Sequence, residues 1–299
     1  EQILKNGKAT SSLSSGTLEF GIKKLPVLEK DPTDRNRTSP FAFTGNRFEF
    51  RMVGSSENIA CPNHMLNTIV ASELSDIADK MEKVPADQFK DELKKLLAEI
   101  VKEHKRVIFN GDGYSDAWVE EAKRRGLPNI RSMVDAIPAL TTEKSIAMFE
   151  HFHVFTKTEL ESRTEVKYET YAKEINVEAR AMIDIAAKQI IPAVIKYAKH
   201  LADAIISIQT IPGMDVSVET ELLKETTKLL RESQTALKIL QEKTEAASLI
   251  ENNERQARYY HDEVNTAMEA LRKPIDQLEM IVDKEMWPMP SYGDLMFEV

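Results

Sequence analysis

The sequence contains a single cysteine, Cys61, among its 299 residues. One thiol excludes an intrachain disulfide framework and a zinc site built from thiolates, and we expect a protein of the reducing cytoplasm. Glycine and proline are also scarce, with 10 and 12 residues, which argues against a β-sandwich, a collagen-like repeat or a long disordered linker. No run of about 18 uncharged apolar residues is present to span a bilayer, so we expect no membrane association.

Positive charge is in the minority, with 40 Lys and Arg residues against 49 Asp and Glu residues. Almost all of the acidic excess falls after residue 214, where 10 basic residues stand against 18 acidic ones. Nucleic-acid binding requires clustered positive charge to replace the counterions of the phosphates. We therefore expect no nucleic-acid partner. Because the sequence starts at Glu1 without an initiator Met, we expect part of a longer protein.

Turn-forming residues divide the chain into two kinds of segment. Eight of the glycines and prolines lie in residues 1–60, between short β-prone runs such as Thr17–Phe20 and Phe48–Phe50, which predicts strands there. After Pro62 the apolar residues recur with helical periodicity, and a helical stretch from Asp116 to Arg125 is predicted to stop at Gly126–Pro128. From about Thr142 to Glu285 the pattern predicts long helices, and the breakers in this region are Pro192, Pro212, Gly213 and Pro274.

Leucines recur every seven residues in the middle of this helical region. Leu223, Leu230 and Leu237 form the repeat, and Leu240 and Ala247 extend it. Such a repeat is typical of a helix that buries one stripe. Three heptads are too few for a sustained zipper, so we interpret the stripe as the inner face of an intrachain helical hairpin instead of a dimeric coiled coil. The Pro-broken, aromatic segment 286–292 is predicted to lie pinned across another surface.

A charged motif lies within the β-prone region. If residues 47–51 form a strand, alternation places Arg47, Glu49 and Arg51 on one face and Phe48 and Phe50 on the other. A carboxylate between two guanidinium groups is suited to holding a divalent metal ion beside phosphate and carboxylate groups. A ladder of exposed ion pairs, each contributing ~0–1 kcal/mol, is the commoner origin of Arg-x-Glu-x-Arg. On spacing alone, both interpretations stay open.

The longer sequence around this motif resembles the C-terminal half of the glutamine synthetase catalytic domain, specifically that of the large type III enzymes. The similarity extends over essentially the whole chain. Its segments are Gly16–Leu18, Leu25–Pro26, Asp34–Ser56, Pro62–Asn63, Asn67–Ala71, Phe109–Ser115 and Trp287–Leu295. A nearly contiguous motif with a distinctive C-terminus is far more specific than a short glycine pattern.

The resemblance implies a ligase that joins ammonia to the γ-carboxylate of glutamate, using ATP and Mg²⁺ or Mn²⁺ and passing through γ-glutamyl phosphate. It implies that Glu49 is a metal ligand, that Arg51 binds the substrate carboxylate and its phosphorylated form, and that Arg47 faces the ATP phosphates. Arg37 is similar to the arginine that meets the transferred γ-phosphate, with Arg35 as the alternative. The implied partners are glutamate, ammonia, ATP and further copies of the protein in a large homo-oligomer of stacked rings.

The resemblance also implies an α+β fold. Residues 1–140 would be the C-terminal part of the catalytic domain, an antiparallel sheet with packed helices. Residues 141–285 would form a helical domain with long helices, and residues 286–299 a tail rich in Pro and aromatic residues. The family's nucleotide-binding stretch, its acidic loop with most other metal ligands and its small N-terminal β-domain are absent from the sequence. We therefore expect the chain to supply one wall of an active site and to be inactive alone.

Two alternatives to glutamine formation stay open. Another carboxylate–amine ligase or a guanidino-kinase-like enzyme would use the same metal and phosphate wall. A non-catalytic assembly or regulatory protein would keep the helices and bind neither nucleotide nor metal. Other candidates are interpreted as structural: the turn Asn110–Gly113 lacks the outer oxygen ligands of a calcium loop, the histidines of Glu150–His153 diverge on a helix, and Cys61 is a small packed residue.

Overall fold

The computed structural model describes residues 58–108, 115–290 and 292–297, together with the backbone of four short strands before residue 51. Of the residues in the three ranges, 79% are helical and none is in a strand. The predicted α+β fold with an antiparallel sheet and packed helices is therefore wrong for the described part of the chain, which is built from helices.

The strands that the structure describes form two antiparallel pairs. Strand β1 (Thr17–Leu18) pairs antiparallel with β2 (Leu28–Glu29), and β3 (Phe41–Phe43) pairs antiparallel with β4 (Phe48–Phe50). The β-prone runs at Thr17 and Phe48 do contain strands, as predicted.

Eleven α-helices lie in the described ranges. Their bounds are α1 Ala60–Met81, α2 Phe89–Glu103, α3 Asp116–Arg124, α4 Met133–Ala136, α5 Glu143–His151, α6 Lys157–Ile185, α7 Ile191–Gln209, α8 Ser217–Ser248, α9 Asn253–Tyr259, α10 Asn265–Glu279 and α11 Tyr292–Phe297. Short 3-10 turns cover Lys105–Val107 and Ile137–Thr141, and π-helical turns cover Ala186–Ile190 and Tyr260–Val264. No helix in the described ranges combines the length and the apolar character that a membrane span requires.

Helix α3 ends where the sequence predicts its stop. The Gly126 N–H donates to the Lys123 carbonyl at 3.0 Å, and the Leu127 N–H donates to the Ala122 carbonyl at 2.9 Å. These two bonds form a Schellman motif, which needs a left-handed residue just after the helix. Gly126 supplies it with φ of 69°, and no atom lies within 4 Å of the place a Cβ would take.

The chain forms two compact units, and the first comprises residues 1–131 and 147–154. Helix α1 confirms the predicted helical periodicity, but three members of its apolar face, Ile69, Val70 and Leu74, are 45%, 43% and 59% exposed. Helix α2 buries no residue. The best-buried side chain described in this unit is Phe149, whose ring meets the ring of His64 edge-on at 6.3 Å.

The second unit comprises residues 132–146 and 155–299 and contains one large core. Helix α8 packs against α7 and α10, and α9 packs against α6. Leu240, Leu271 and Leu278 are completely buried. The intrachain interpretation of the leucine repeat is therefore confirmed. The predicted domain boundaries after residues 140 and 285 stay a prediction.

The buried seam of α8 differs in detail from the predicted heptads. Leu237, Leu240 and Ala247 are buried as expected, whereas Leu223 and Leu230 are only half-buried. The full set of buried α8 residues is Thr226, Leu229, Ser233, Leu237, Leu240, Thr244 and Ala247. Thr226, Ser233, Leu240 and Ala247 in this set recur every seven residues, so the buried heptad repeat is offset by three residues from the predicted repeat that starts at Leu223.

Two prolines that predicted helix breaks are tolerated. Pro192 would clash with the Lys188 carbonyl in a regular α-helix and cannot donate to it, and the π-helical turn Ala186–Ile190 stands directly before it. Pro274 lies buried inside α10. The predicted break at Pro212 and Gly213 does separate α7 from α8, and Gly213 has φ of 81° with open space around it.

The tail following α10 lies against the core of the second unit, as predicted. Met286 and Trp287 pack on the core cluster, and both of their N–H groups donate to the Asp283 carbonyl, at 3.0 and 2.9 Å. Lys284 pairs with Asp294 of α11 at 2.8 Å. These contacts hold the tail in place.

Candidate functional site

Strand β4 contains the centre of the charged motif. Three residue pairs define its register with β3: Phe41 with Phe50, Ala42 with Glu49, and Phe43 with Phe48. Because successive residues of a strand alternate between faces, the Glu49 position shares one face with Ala42, and the four Phe positions share the other. The predicted strand is thus present over Phe48–Phe50, with Glu49 separated from the aromatic positions.

The rest of the predicted site lies outside the described residues. Arg35, Arg37, Arg47 and Arg51 all fall there, and of Glu49 only the strand position is described. The assignment of the metal to Glu49, of the ATP phosphates to the first three arginines and of the substrate to Arg51 stays a prediction. The register adds one point of local geometry, since the residue paired directly with Glu49 is Ala42.

His151 and His153, the two histidines of the segment Glu150–His153, have structural roles at the end of α5. His151 ends α5 and its ring meets Phe152 edge-on at 4.7 Å. His153 has φ of 54° and occupies the left-handed position after the helix, where the Val154 N–H donates to the Phe149 carbonyl at 3.0 Å. No group of three or more His, Cys, Asp or Glu side chains able to hold a metal occurs in those ranges. The turn Asn110–Gly113 lies outside them.

The second unit contains a network of charged residues that was not predicted from the sequence. The Arg258 guanidinium donates to Glu254 at 3.1 Å and to Asp135 at 3.3 Å. The Ser132 hydroxyl donates to Asp135 at 2.7 Å, and this bond, with Arg258 nearby, lowers the pKa of the Asp135 carboxyl. Burial raises the pKa of Tyr168 close by. The Asp135–Arg258 pair joins residues 123 apart, so no local pattern reveals it.

This network is structural and not catalytic in character. The side chains of Asp135 and Arg258 are 55% and 41% exposed. Exposed ion pairs of this kind contribute about 0–1 kcal/mol. Their effect is to attach the short helix α4 to α9.

The sequence is similar to a family model and to several curated proteins. A family model described as the glutamine synthetase C-terminal domain matches residues 92–209. The type-3 glutamine synthetase of Dictyostelium discoideum is 35% identical over 294 residues, which is 95% of this chain and 39% of that protein. The glutamine synthetase of Bacteroides fragilis (strain YCH46) is 37% identical over 288 residues, which is 94% of this chain and 40% of that protein. This chain is thus similar to glutamine synthetases over most of its own length.

The segment that matches the glutamine synthetase family model begins and ends in helices of this structure. The family model starts within α2 and ends at Gln209, the last residue of α7. The glutamine synthetase of Butyrivibrio fibrisolvens is 36% identical and covers 90% of the chain. Because the Dictyostelium alignment covers 95% of the chain, it includes residues 35–51 and thus the predicted site. The chain spans about two fifths of the length of these curated relatives, 39–40%.

Proposed function

We propose that this chain supplies one wall of the active site of a glutamine synthetase, which joins ammonia to glutamate with ATP through γ-glutamyl phosphate. The observation behind the proposal is the 35–37% identity to proteins named glutamine synthetase over 94–95% of the chain, a span that includes residues 35–51. The complete enzyme is then the polypeptide or assembly that adds the remaining three fifths of the relatives' length. We further propose that it is cytoplasmic, as the single cysteine favours, and a large homo-oligomer.

The arginines would act by neutralising negative charge. Arg51 would bind the glutamate carboxylate and then the acyl phosphate, and Arg47 would face the ATP phosphates. Arg37, or alternatively Arg35, would meet the γ-phosphate during transfer. Guanidinium groups suit this work, because their rigid fork of donors matches carboxylate and phosphate oxygens. Fixed positive charge of this kind stabilises a transition state whose negative charge is spread over several oxygens.

Glu49 fits a divalent metal ion by donor type. Carboxylate oxygens are the ligands that Mg²⁺ and Mn²⁺ prefer, but Mg²⁺ takes about six oxygens in octahedral geometry. The described ranges contain no cluster of three or more ligating side chains, so the remaining ligands would come from elsewhere in the complete enzyme. When bound, the ion would neutralise developing charge on the transferred phosphoryl group, an effect of several kcal/mol.

Replacing Arg51 tests the proposal. In the complete enzyme, Arg51→Ala should lower glutamine synthesis from glutamate, ammonia and ATP by at least about 100-fold, because the acyl phosphate loses its bound cation. Glutamine is measured directly, with phosphate release as a second readout. Arg231→Ala on the exposed side of α8 removes the same charge elsewhere and should keep full activity. Unchanged synthesis in the Arg51 variant, with an intact circular dichroism spectrum, would remove the role.

A non-catalytic role is the second candidate, and the almost wholly helical character of the described ranges favours it. An assembly or regulatory protein of this kind would bind neither Mg-ATP nor glutamate. Calorimetry of the complete protein with Mg-ATP separates the two, since tight binding supports the ligase. Assays with acceptors other than ammonia distinguish glutamine formation from another carboxylate–amine ligase or a guanidino-kinase-like reaction.

A further inference from the structure

A cavity of 610 Å³ lies within the second unit, between the helices and the C-terminal tail. Its volume falls in the range of about 300–1,000 Å³ that small-molecule sites occupy. The interior is apolar, formed by residues of α6, the first π-helical turn, α10 and the tail. Its apolar lining includes Met182, Ile185, Ile190, Ile275 and Trp287. A π-helical turn widens a helix locally and is frequent at functional sites.

Among the described charged side chains that line this cavity, acidic residues outnumber basic ones. Arg272, Asp276 and Glu279 of α10 all line it. The Arg272 guanidinium donates to Asp276 at 3.2 Å, so its charge is already matched. Within the described ranges, Glu279 has no ion-pair partner, and it lies three residues from Asp276 on the same side of the helix. The charged side chains of α10 at the cavity therefore have one excess negative charge, which favours a cation over an anion as the ligand.

The aromatic wall of the cavity is fixed before any ligand arrives. The backbone bonds from Met286 and Trp287 to Asp283 and the Lys284–Asp294 ion pair hold the tail at both sides of the indole. Trp287 also packs against the core cluster. Tryptophan is the best aromatic partner for a cation. A wall that is already ordered costs little entropy on binding.

We propose that this cavity binds a small hydrophobic amine. The protonated amine would lie at the Glu279 carboxylate near the Trp287 indole, and its apolar or aromatic body would lie against Met182, Ile185, Ile190 and Ile275. An anion of the same shape is rejected, because it would meet Glu279 without a counter-charge. The site is separate from the charged motif at residues 35–51 and does not depend on the proposed ligase activity.

Phenethylamine is a suitable probe, because it combines a phenyl ring with a primary ammonium group. Calorimetric titration into the 299-residue chain should show saturable binding. Phenylacetate, which presents a carboxylate on the same ring, should bind at least about tenfold more weakly. Glu279→Gln should weaken phenethylamine binding by about three- to fivefold, as expected for loss of an exposed ion pair.

A matched control is Glu269→Gln, which removes an exposed carboxylate of the same helix that does not line the cavity. This variant should bind phenethylamine as the unaltered chain does. Because Glu279 is exposed, neither substitution threatens folding, and circular dichroism checks this. The proposal is overturned by the absence of saturable phenethylamine binding, by equal affinity for phenylacetate, or by an affinity that Glu279→Gln leaves unchanged.

Discussion

Two hydroxyl groups in the seam of α8 have no partner. Thr226 and Ser233 are completely buried, and their side-chain oxygens make no hydrogen bond in the described part of the chain. Thr244, in the same seam, does make one, because its hydroxyl donates to the Leu240 carbonyl at 2.7 Å. A buried hydroxyl without a partner costs about 1–3 kcal/mol.

Ser233→Ala should therefore stabilise the protein. The substitution removes the unpartnered hydroxyl and changes the packed volume little, so the free energy of unfolding should rise by about 1 kcal/mol. Urea unfolding followed by circular dichroism at 222 nm measures it.

Alanine also favours helices more than serine does, by a few tenths of a kcal/mol. Ser207→Ala on the exposed side of α7 makes the same change without burial and measures that contribution. If both variants stabilise equally, burial of the Ser233 hydroxyl carries no cost and the prediction is wrong.

At the scale of the single element, helix α6 starts with a complete capping box. The Thr156 hydroxyl accepts the Glu159 N–H at 3.3 Å, and the Glu159 carboxylate accepts the Thr156 N–H at 2.8 Å. Both bonds satisfy N–H groups that the first turn leaves free. The bonds from Thr156 also lower the pKa of the Glu159 carboxyl.

Thr156→Ala should cost about 1 kcal/mol of unfolding free energy at neutral pH, as for other N-cap residues. The lowered pKa means that the folded state prefers ionised Glu159. Its contribution is therefore full above the unfolded value of about 4.5 and is lost as the pH falls through the lower folded value. The difference between the variant and the unaltered protein should narrow below pH 4.5 in urea titrations. Thr158→Ala, two residues later in the same turn and exposed, serves as the control and should show no such pH dependence.

Sequence periodicity predicted the long helices well because they depend on local signals. The stop at Gly126 and the break at Pro212 and Gly213 follow from backbone conformations that only certain residues adopt. Pro192 and Pro274 misled the prediction, since a π-helical turn and a buried position inside α10 accommodate them. The strands were expected from β-prone runs, but the way in which strands pair was not, because pairing is a non-local property that a local sequence pattern does not specify.

At the scale of the whole molecule, the two units differ in how much they bury. The second unit has a continuous core through α6, α7, α8 and α10, whereas the described helices α1 and α2 of the first unit bury little apolar surface. Amide protons exchange slowly where opening exposes a core and quickly where few buried contacts oppose it. The described parts should therefore differ in exchange rate.

Amide hydrogen exchange read by mass spectrometry tests this difference. After correction for intrinsic rates, peptides from α8 and α10 should exchange at least about 100-fold more slowly than peptides from α1 and α2. Peptides from the exposed segment 210–216 provide the fast reference within the same chain. Equal protection of α1 and α8 would show that the exposed face at Ile69, Val70 and Leu74 is covered in solution.

The candidate site was predictable only through resemblance. Alternation in residues 47–51 placed Glu49 apart from the Phe positions, and the register of β3 and β4 agrees with that placement. Spacing alone could not choose between a metal site and an ion-pair ladder. The cavity near Glu279 was not predictable at all, because it joins residues from 182 to 295 that share no sequence pattern.

Gly126 and Gly213 have positive φ, yet empty space surrounds the place of a side chain at both. Handedness, and not crowding, selects glycine at these two turns. A residue of the opposite chirality, such as D-alanine introduced by chemical ligation, would fit both conformations while restricting the unfolded chain. These turns are thus two places where the protein could be made more rigid without any repacking of its helices.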